Sequence, residues 1–449
     1  MCAACGTPAH HAPPPVVPPV VPAPTTSRGS RRFAALRNRD SGPYLVGGML
    51  AMMADNVEHV ITYWVLWQTF HSPALTGFQV ISHWTPFLLL SVWFGGLADR
   101  YDCRRVVQVA QGLFMLVSLS WGVLFLTDSL SIPLACVLLV LHGTAGSLWR
   151  PAEQLLLQDF VGRADVPSAV RLNSTFQSLG VLCGPVVGSA LLLGLGPEPG
   201  ILFNAAIYLP LTILLLRTRF TGHTREGYPA RQRLGALAAV RSIGTVTRDP
   251  AIAGAVVVAG LTSFFVGSAL QTVMPEFADS LGSPGSGTTY GLLLFANGLG
   301  GVVGGIVLEA TGWIRPNIAA GIVSTLVFAG AVGGFALTGS LALGVVLLVV
   351  GGVANLVSTS VTQTVVQLRA DPATRGRAVG VYSMASGGLK VGSGVTIGLF
   401  GAVVGVQASV ALSAAGLAVG TVLAGAYLLR RRRTAPPTTH PSTTVIEDS

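Results

Sequence analysis

The sequence predicts an all-α membrane protein with twelve transmembrane helices arranged as two six-helix pseudo-repeats. Three observations predict it. Of the 449 residues, 51% are apolar and only 10% are charged, against about 25% charged in a soluble domain. So little charge could not cover a soluble surface, which excludes a soluble enzyme and a disordered chain. The apolar residues also fall into twelve runs of about 20 residues, the length that spans a bilayer. One polar stretch divides these runs into two sets of six, at 43–219 and 250–430. Finally, the basic residues sort to one side of the runs. The 56 glycines fit the same class, because small residues let membrane helices approach closely.

Residues 1–42 are rich in Pro, Ala, Ser and Arg. They contain no uninterrupted apolar core and no small-residue cleavage pattern, so they read as a disordered cytoplasmic tail and not as a signal peptide. Within the tail, Cys2-Ala-Ala-Cys5 followed by His10 and His11 could clip a soft metal, but a short motif of this kind reads first as a solvated segment. With Cys103, Cys136 and Cys183 the cysteines form an odd, scattered set and no disulfide framework. The N-terminal bundle, 43–219, holds α1 (44–69), α2 (76–97), α3 (104–127), α4 (131–156), α5 (168–195) and α6 (200–218). A cytoplasmic linker covers 220–249. Its segment 234–247 is modestly amphipathic and suits either the inner membrane surface or a solvated linker helix. The C-terminal bundle, 250–430, holds α7 (250–274), α8 (286–309), α9 (316–338), α10 (341–368), α11 (377–400) and α12 (406–429). A disordered cytoplasmic tail, 431–449, closes the chain.

The arginines set the orientation. They occupy the N-terminal tail (Arg28 to Arg39), the α2–α3 turn (Arg100, Arg104, Arg105), the surroundings of the α4–α5 loop (Arg150, Arg163, Arg171) and the linker region (Arg217 to Arg248). Arg315, Arg369, Arg375, Arg377 and Arg430 to Arg433 follow α8, α10 and α12. The opposite loops carry Asp128, Glu198, Glu276 and Asp279 and no basic residue. By the positive-inside rule both termini are cytoplasmic in a multi-pass inner (plasma) membrane protein. The net charge of +9 therefore marks a membrane side and does not imply nucleic acid.

Gly95-Gly-Leu97-Ala98-Asp99-Arg100-Tyr-Asp102-Cys-Arg104-Arg105 lies between α2 and α3. Gly95 permits close packing against the other half. Asp99 suits a helix N-terminus, where an anion gains about 0.3–1 kcal/mol. Arg100, Arg104 and Arg105 hold the turn and face anionic lipid. The run resembles the signature loop of the major facilitator superfamily, with Asp102 standing where that pattern carries Gly. A degenerate copy follows α8: Gly305 and Glu309 repeat the spacing of Gly95 and Asp99, as expected of a transporter built from repeats. In α5, Gly180, Gly184 and Gly188 form a stripe at i+4 spacing with Pro185 as a bend. This resembles the Gly-Pro motif of the antiporter branch, with Ser189 replacing its second Gly. The stripe also fits simple close packing. Over 43–430 the chain is most similar to the drug and siderophore exporter group (enterobactin-exporter-like). The resemblance implies the major facilitator fold, alternating access and a proton gradient as the driving force.

Charges inside the membrane are costly and mark ion or substrate paths. In α1, Asp55, Glu58, His59 and Thr62 share one helical face. Lys390, the only lysine, sits mid-helix in α11 and, unlike Arg, can lose its proton. Asp55 and Glu58 are the expected protonation site, with His59 and Lys390 as modulators; Lys390 could pair with the α1 carboxylates or hold an anionic substrate. His83 in α2 and His142 in α4 are further polar candidates. Arg150 and Glu153, near the cytoplasmic end of α4, suit an intracellular ion-pair gate or a substrate contact. Asn297, Asn355, Gln363 and Gln367 are weaker candidates, since amides also glue helices. No phosphate loop and no His-Glu-x-x-His site occurs, so no enzyme, cofactor or metal site is expected. The chain reads as a monomeric secondary transporter that exports a small molecule against protons across the bilayer. The alternatives are a proton-symporting importer and a membrane sensor or scaffold.

The topology is directly testable once native cysteines are removed. A cysteine at Ser283, between α7 and α8, should react with an impermeant thiol reagent added outside intact cells. One in the 225–233 linker should not. Labelling of both from outside would refute the twelve-helix orientation.

Overall fold

The computed structural model describes residues 32–70, 73–225, 227, 236–282 and 287–434. The Cys2/Cys5/His10/His11 segment and residues 435–449 lie outside the described residues. Twelve long helical elements follow the expected order. They are α1 (Ser41–Phe70), α2 (Pro73–Arg100), α3 (Cys103–Leu126), α4 (Ile132–Val161), α5 (Val166–Leu195) and α6 (Pro197–Ile207 continued by Leu209–Arg217), then α7 (Pro250–Phe265), α8 (Gly287–Thr311), α9 (Ile318–Leu337), α10 (Leu341–Arg369), α11 (Arg375–Val404, in segments) and α12 (Val406–Thr434). Pro210 lies just after the joint of α6 at Tyr208, where a missing N–H interrupts the ladder.

Among the described residues, ten helices are long and apolar enough to cross a membrane. The other two are α1 and α11. Asp55, Asn56, Glu58 and His59 dilute the apolar run of α1. The other is broken up: π-helical segments at Met384–Gly388 and Gly394–Leu399 bracket a short α-helical piece, Lys390–Ser393. Such bulges are frequent at functional sites.

Two expectations need correction. The α7 run does not continue to 274. It ends at Phe265, because the chain turns at Gly267 with φ +45°, and resumes as short helices Ala269–Thr272 and Met274–Leu281. A Cβ at Gly267 would meet Ser263 and Ser393, so only glycine suits this turn. The tail is ordered from Phe33 onward: helix Ala34–Arg37 leads into α1, and Ala35 is fully buried. The linker carries helix Ala236–Val246, whose Ile243 and Val246 pack with Val92, Ile252 and Tyr382. The start of the linker is pinned too. Asp159 accepts hydrogen bonds from the backbone N–H of Gly222, Thr224 and Arg225.

Close backbone approach defines the bundle. Helix α1 lies along the α5 glycine stripe. A Cβ at Gly180 would come within 2.7 Å of the Met49 carbonyl, one at Gly184 would collide with the Asn56 Cβ, and one at Gly188 would stand 3.0 Å from the Val60 Cβ. The stripe therefore fixes the height and rotation of the helix that carries Asp55 and Glu58. The two halves meet along α2–α11 and α5–α8. These contacts run from the arginine-bearing ends, Gly95 on Gly376, to mid-helix, Leu88 on Gly388 and Leu182 on Gly298.

Gly184→Ala should destabilise the protein by about 1–3 kcal/mol, the usual cost of overpacking, read as a lower Tm in detergent. Gly330→Ala, where a Cβ meets nothing within 4 Å, is the control and should leave the Tm unchanged or slightly raised. Equal Tm values for both variants would remove the stripe from its packing role.

Candidate transport site

Two carboxylate contacts join the halves on the arginine-bearing side, each a candidate seal. At the first, Asp99 is almost fully buried and its two oxygens accept hydrogen bonds from the backbone N–H groups of Gly376 (2.5 Å) and Arg377 (3.0 Å). These are donors of the first turn of α11, which no intrahelical carbonyl can satisfy. Gly95 lets the two helices of this contact close, since a Cβ there would strike the Gly376 carbonyl. At the second seal, Glu309 is fully buried at the end of α8 and reaches the start of α5. It accepts from Arg171 Nε (2.6 Å), Ser168 Oγ (2.5 Å) and the backbone N–H of Phe33 (2.6 Å). Each half thus sends one carboxylate into the other, in pseudo-symmetric positions. Gln367 donates to Gln154 (3.1 Å) and Arg163 to the Leu368 carbonyl (2.5 Å) on the same side.

The remaining motif residues hold the α2–α3 turn. Asp102 needs no glycine geometry: at φ −60° it caps α3, accepting from the Arg104 N–H and pairing with the Arg104 guanidinium at 2.6 Å. Arg100 lies over the Tyr101 ring, and Arg105 contacts Gln108.

Mid-membrane, the α1 carboxylates meet a partner from α4. His142 Nε2 lies 2.8 Å from Asp55 Oδ1, and its Nδ1 lies 2.8 Å from Glu58 Oε1. Ser118 of α3 donates to the other oxygen of Glu58, and Asn204 of α6 reaches Ser118 at 3.4 Å. His59 and His83 stand beside this triad, with ring centroids 4.9 Å apart and each within 5.6 Å of His142. Thr62 turns its hydroxyl to the Glu58 carbonyl of its own helix.

Lys390 does not join an α1 carboxylate in an ion pair. Its Nζ sits 3.9 Å from the centroid of the Trp84 ring, a cation–π contact that the separation of α11 from α1 by α2 makes the nearer option. Arg150 and Glu153 do approach each other, at 3.4 Å, and Gln177 bridges them, donating to Glu153 (2.8 Å) and accepting from Arg150. Helix α4 runs on to Val161, so this cluster sits well inside the helix rather than near its end. The Asp55–His142–Glu58 bridge was not readable in advance, because it joins residues more than eighty positions apart. The only signal was a histidine within an apolar span.

The profile of the transmembrane secretion effector family matches residues 33–445. The chain belongs to that family, within the major facilitator superfamily. It is 27% identical to the enterobactin exporter EntS of Escherichia coli O127:H6 over 398 residues, 87% of this chain and 90% of that protein. To the staphyloferrin A transporter of Staphylococcus aureus it is 24% identical over 179 residues, 39% of this chain and 45% of that protein. Among solved structures, the human organic anion transporter MFSD10 (TETRAN) superposes with a TM-score of 0.69 at 16% identity, covering 86% of this chain and 99% of that one. FucP in the outward conformation gives 0.69 at 12%, covering 88% and 98%. These structures share the major facilitator fold. This secretion effector is thus a multi-pass membrane transporter of small molecules and not an enzyme. Its polar cluster and its two seals are the parts of the bundle with chemistry to offer.

Proposed function

We propose that this chain is a proton-coupled exporter of a small molecule such as a drug, siderophore or metabolite. It would act as a monomer in the inner (plasma) membrane by alternating access, with both termini cytoplasmic. The observation that carries the reading is the His142 bridge. A neutral imidazole has one N–H donor, yet both ring nitrogens face carboxylate oxygens at 2.8 Å. Two such hydrogen bonds require one further proton, on the ring or on a carboxyl. A polar triad that holds one proton at mid-membrane depth is what coupling to a proton gradient needs. Loss of that proton leaves a carboxylate without its donor in a medium where unpaired charge is costly. A change of conformation or a donor group on the substrate can meet that cost. His59 and Lys390 act as modulators in this reading.

Arginine-bearing loops on the cytoplasmic side make the sealed state outward-facing. The export direction draws on the likeness to EntS, an enterobactin exporter by name, over nearly the whole of both chains.

The test uses inside-out vesicles from cells expressing the chain, with enterobactin and a panel of lipophilic dyes as probes. At least one probe should accumulate, and a proton uncoupler should abolish the accumulation. Asp55→Asn, Glu58→Gln and His142→Gln, each made singly, should lower the uncoupler-sensitive part by about 5–150-fold, the range of ordinary coupling energies, while downhill exchange persists. Wild-type uphill transport by all three variants would place the proton site elsewhere. Accumulation in right-side-out vesicles only would reverse the direction.

A further inference from the structure

The polar cluster has a second chemistry that proton coupling does not use. Asp55, His59, His83 and His142 each offer one ligand atom, and these four atoms lie within 4.8 Å of one another. They come from three helices, α1, α2 and α4. His83 Nδ1 is buried and has no hydrogen-bond partner, although buried ring nitrogens are normally satisfied. The bundle core thus collects three imidazoles and a carboxylate, with one buried ring nitrogen that no protein group engages.

We propose that Asp55, His59, His83 and His142 bind one divalent first-row transition-metal ion, with Glu58 as the carboxylate that orients His142. Three nitrogens and one oxygen suit zinc, cobalt or nickel and do not suit magnesium or calcium, which take oxygen ligands. Tetrahedral bonds of about 2.0–2.1 Å set neighbouring ligand atoms about 3.4 Å apart, so side-chain rotations of the order of an ångström close the site. The supporting shell is already in place. Metal-bound histidines normally give their other N–H to a carboxylate, and here His142 Nδ1 faces Glu58 at 2.8 Å while Ser118 holds that carboxylate from behind. The ion takes the line between His142 Nε2 and Asp55 now spanned by a hydrogen bond, and the proton of that bond is released to water as it enters. His59 and His83 are partly accessible, which leaves an approach to the site. The inference concerns equilibrium binding and does not rest on the direction of transport or on its coupling to protons.

The experiment titrates Co2+ into the untagged full-length chain in lipid nanodiscs, with Cys2, Cys5, His10 and His11 replaced so that the tail contributes no ligands. One equivalent should bind and give the intense visible absorption of four-coordinate cobalt. Zn2+ should displace it and Mg2+ should not. His83→Gln and His59→Gln should each weaken binding by about tenfold or more, whereas His223→Gln, at a buried histidine near the α2–α3 turn, should not. His83 makes no hydrogen bond among the described residues, so its replacement orphans no partner. A measurement on the unaltered cluster stands beside the variants. Saturating Zn2+ should shield His59 and His83 from diethylpyrocarbonate, read residue by residue by mass spectrometry. Absence of saturable Co2+ binding, wild-type affinity in both variants, or equal modification with and without Zn2+ would each overturn the site.

Discussion

Asp99 and Glu309 are carboxylates in places where water cannot solvate them, and each takes its donors from the opposite half of the molecule. A buried charge left without partners costs about 3–5 kcal/mol, so neither half is complete alone on the arginine-bearing side. The geometry follows from this need. Gly95 and Gly376 let two helices touch backbone to backbone, and Gly305 leaves room for Thr175 beside Glu309. The two seals are not chemically identical. Asp99 uses the free N–H groups of a helix start, whereas Glu309 uses the side chains of Ser168 and Arg171 and a backbone N–H from Phe33. That last donor ties the N-terminal segment to the second half.

Helix α5 links the seal to the polar cluster. Its first turns hold Glu309 through Arg171 and Ser168, and its glycine stripe seats α1, the helix of Asp55 and Glu58. Between the two, Gln177 of α5 joins Arg150 and Glu153. A movement of α5 relative to α8 would strain its packing on α1 unless α1 followed, and the partners of Asp55 and Glu58 on α3 and α4 would then have to follow or let go. This is the mechanical sense in which events at the mid-membrane cluster and at the seal can bear on one another. The stripe reads as antiporter-like in sequence, and in the structure it acts as close packing for the helix with the chemistry.

The twelve elements were legible because membrane spans are written as long apolar runs, and most boundaries fall within a few residues of the helices observed. What sequence could not give was register between distant helices. His142 read as a stray polar residue of α4, and its role as the bridge of Asp55 and Glu58 appeared only when α1 and α4 were placed side by side. Lys390 stood out by composition, but its partner Trp84 depends on how α11 lies on α2. The π segments of α11 leave no pattern in a run of glycines and small residues. The α7 break at Gly267 was hidden because the flanking residues are apolar on both sides. Asp102 departs from the superfamily pattern on paper and turns out to serve as a helix cap, a task any short acceptor can perform at negative φ.

The central claim is that Asp99 and Glu309 together hold the arginine-bearing side closed. Spin labels at Ala164 and Asp371, exposed residues of opposite halves on that side, allow the distance across it to be measured by double electron–electron resonance in nanodiscs. The protein with both seals intact should show one dominant short distance. Asp99→Asn combined with Glu309→Gln should shift the population to a longer distance, with each single substitution in between. Identical distance distributions in the intact and doubly substituted proteins would contradict the claim.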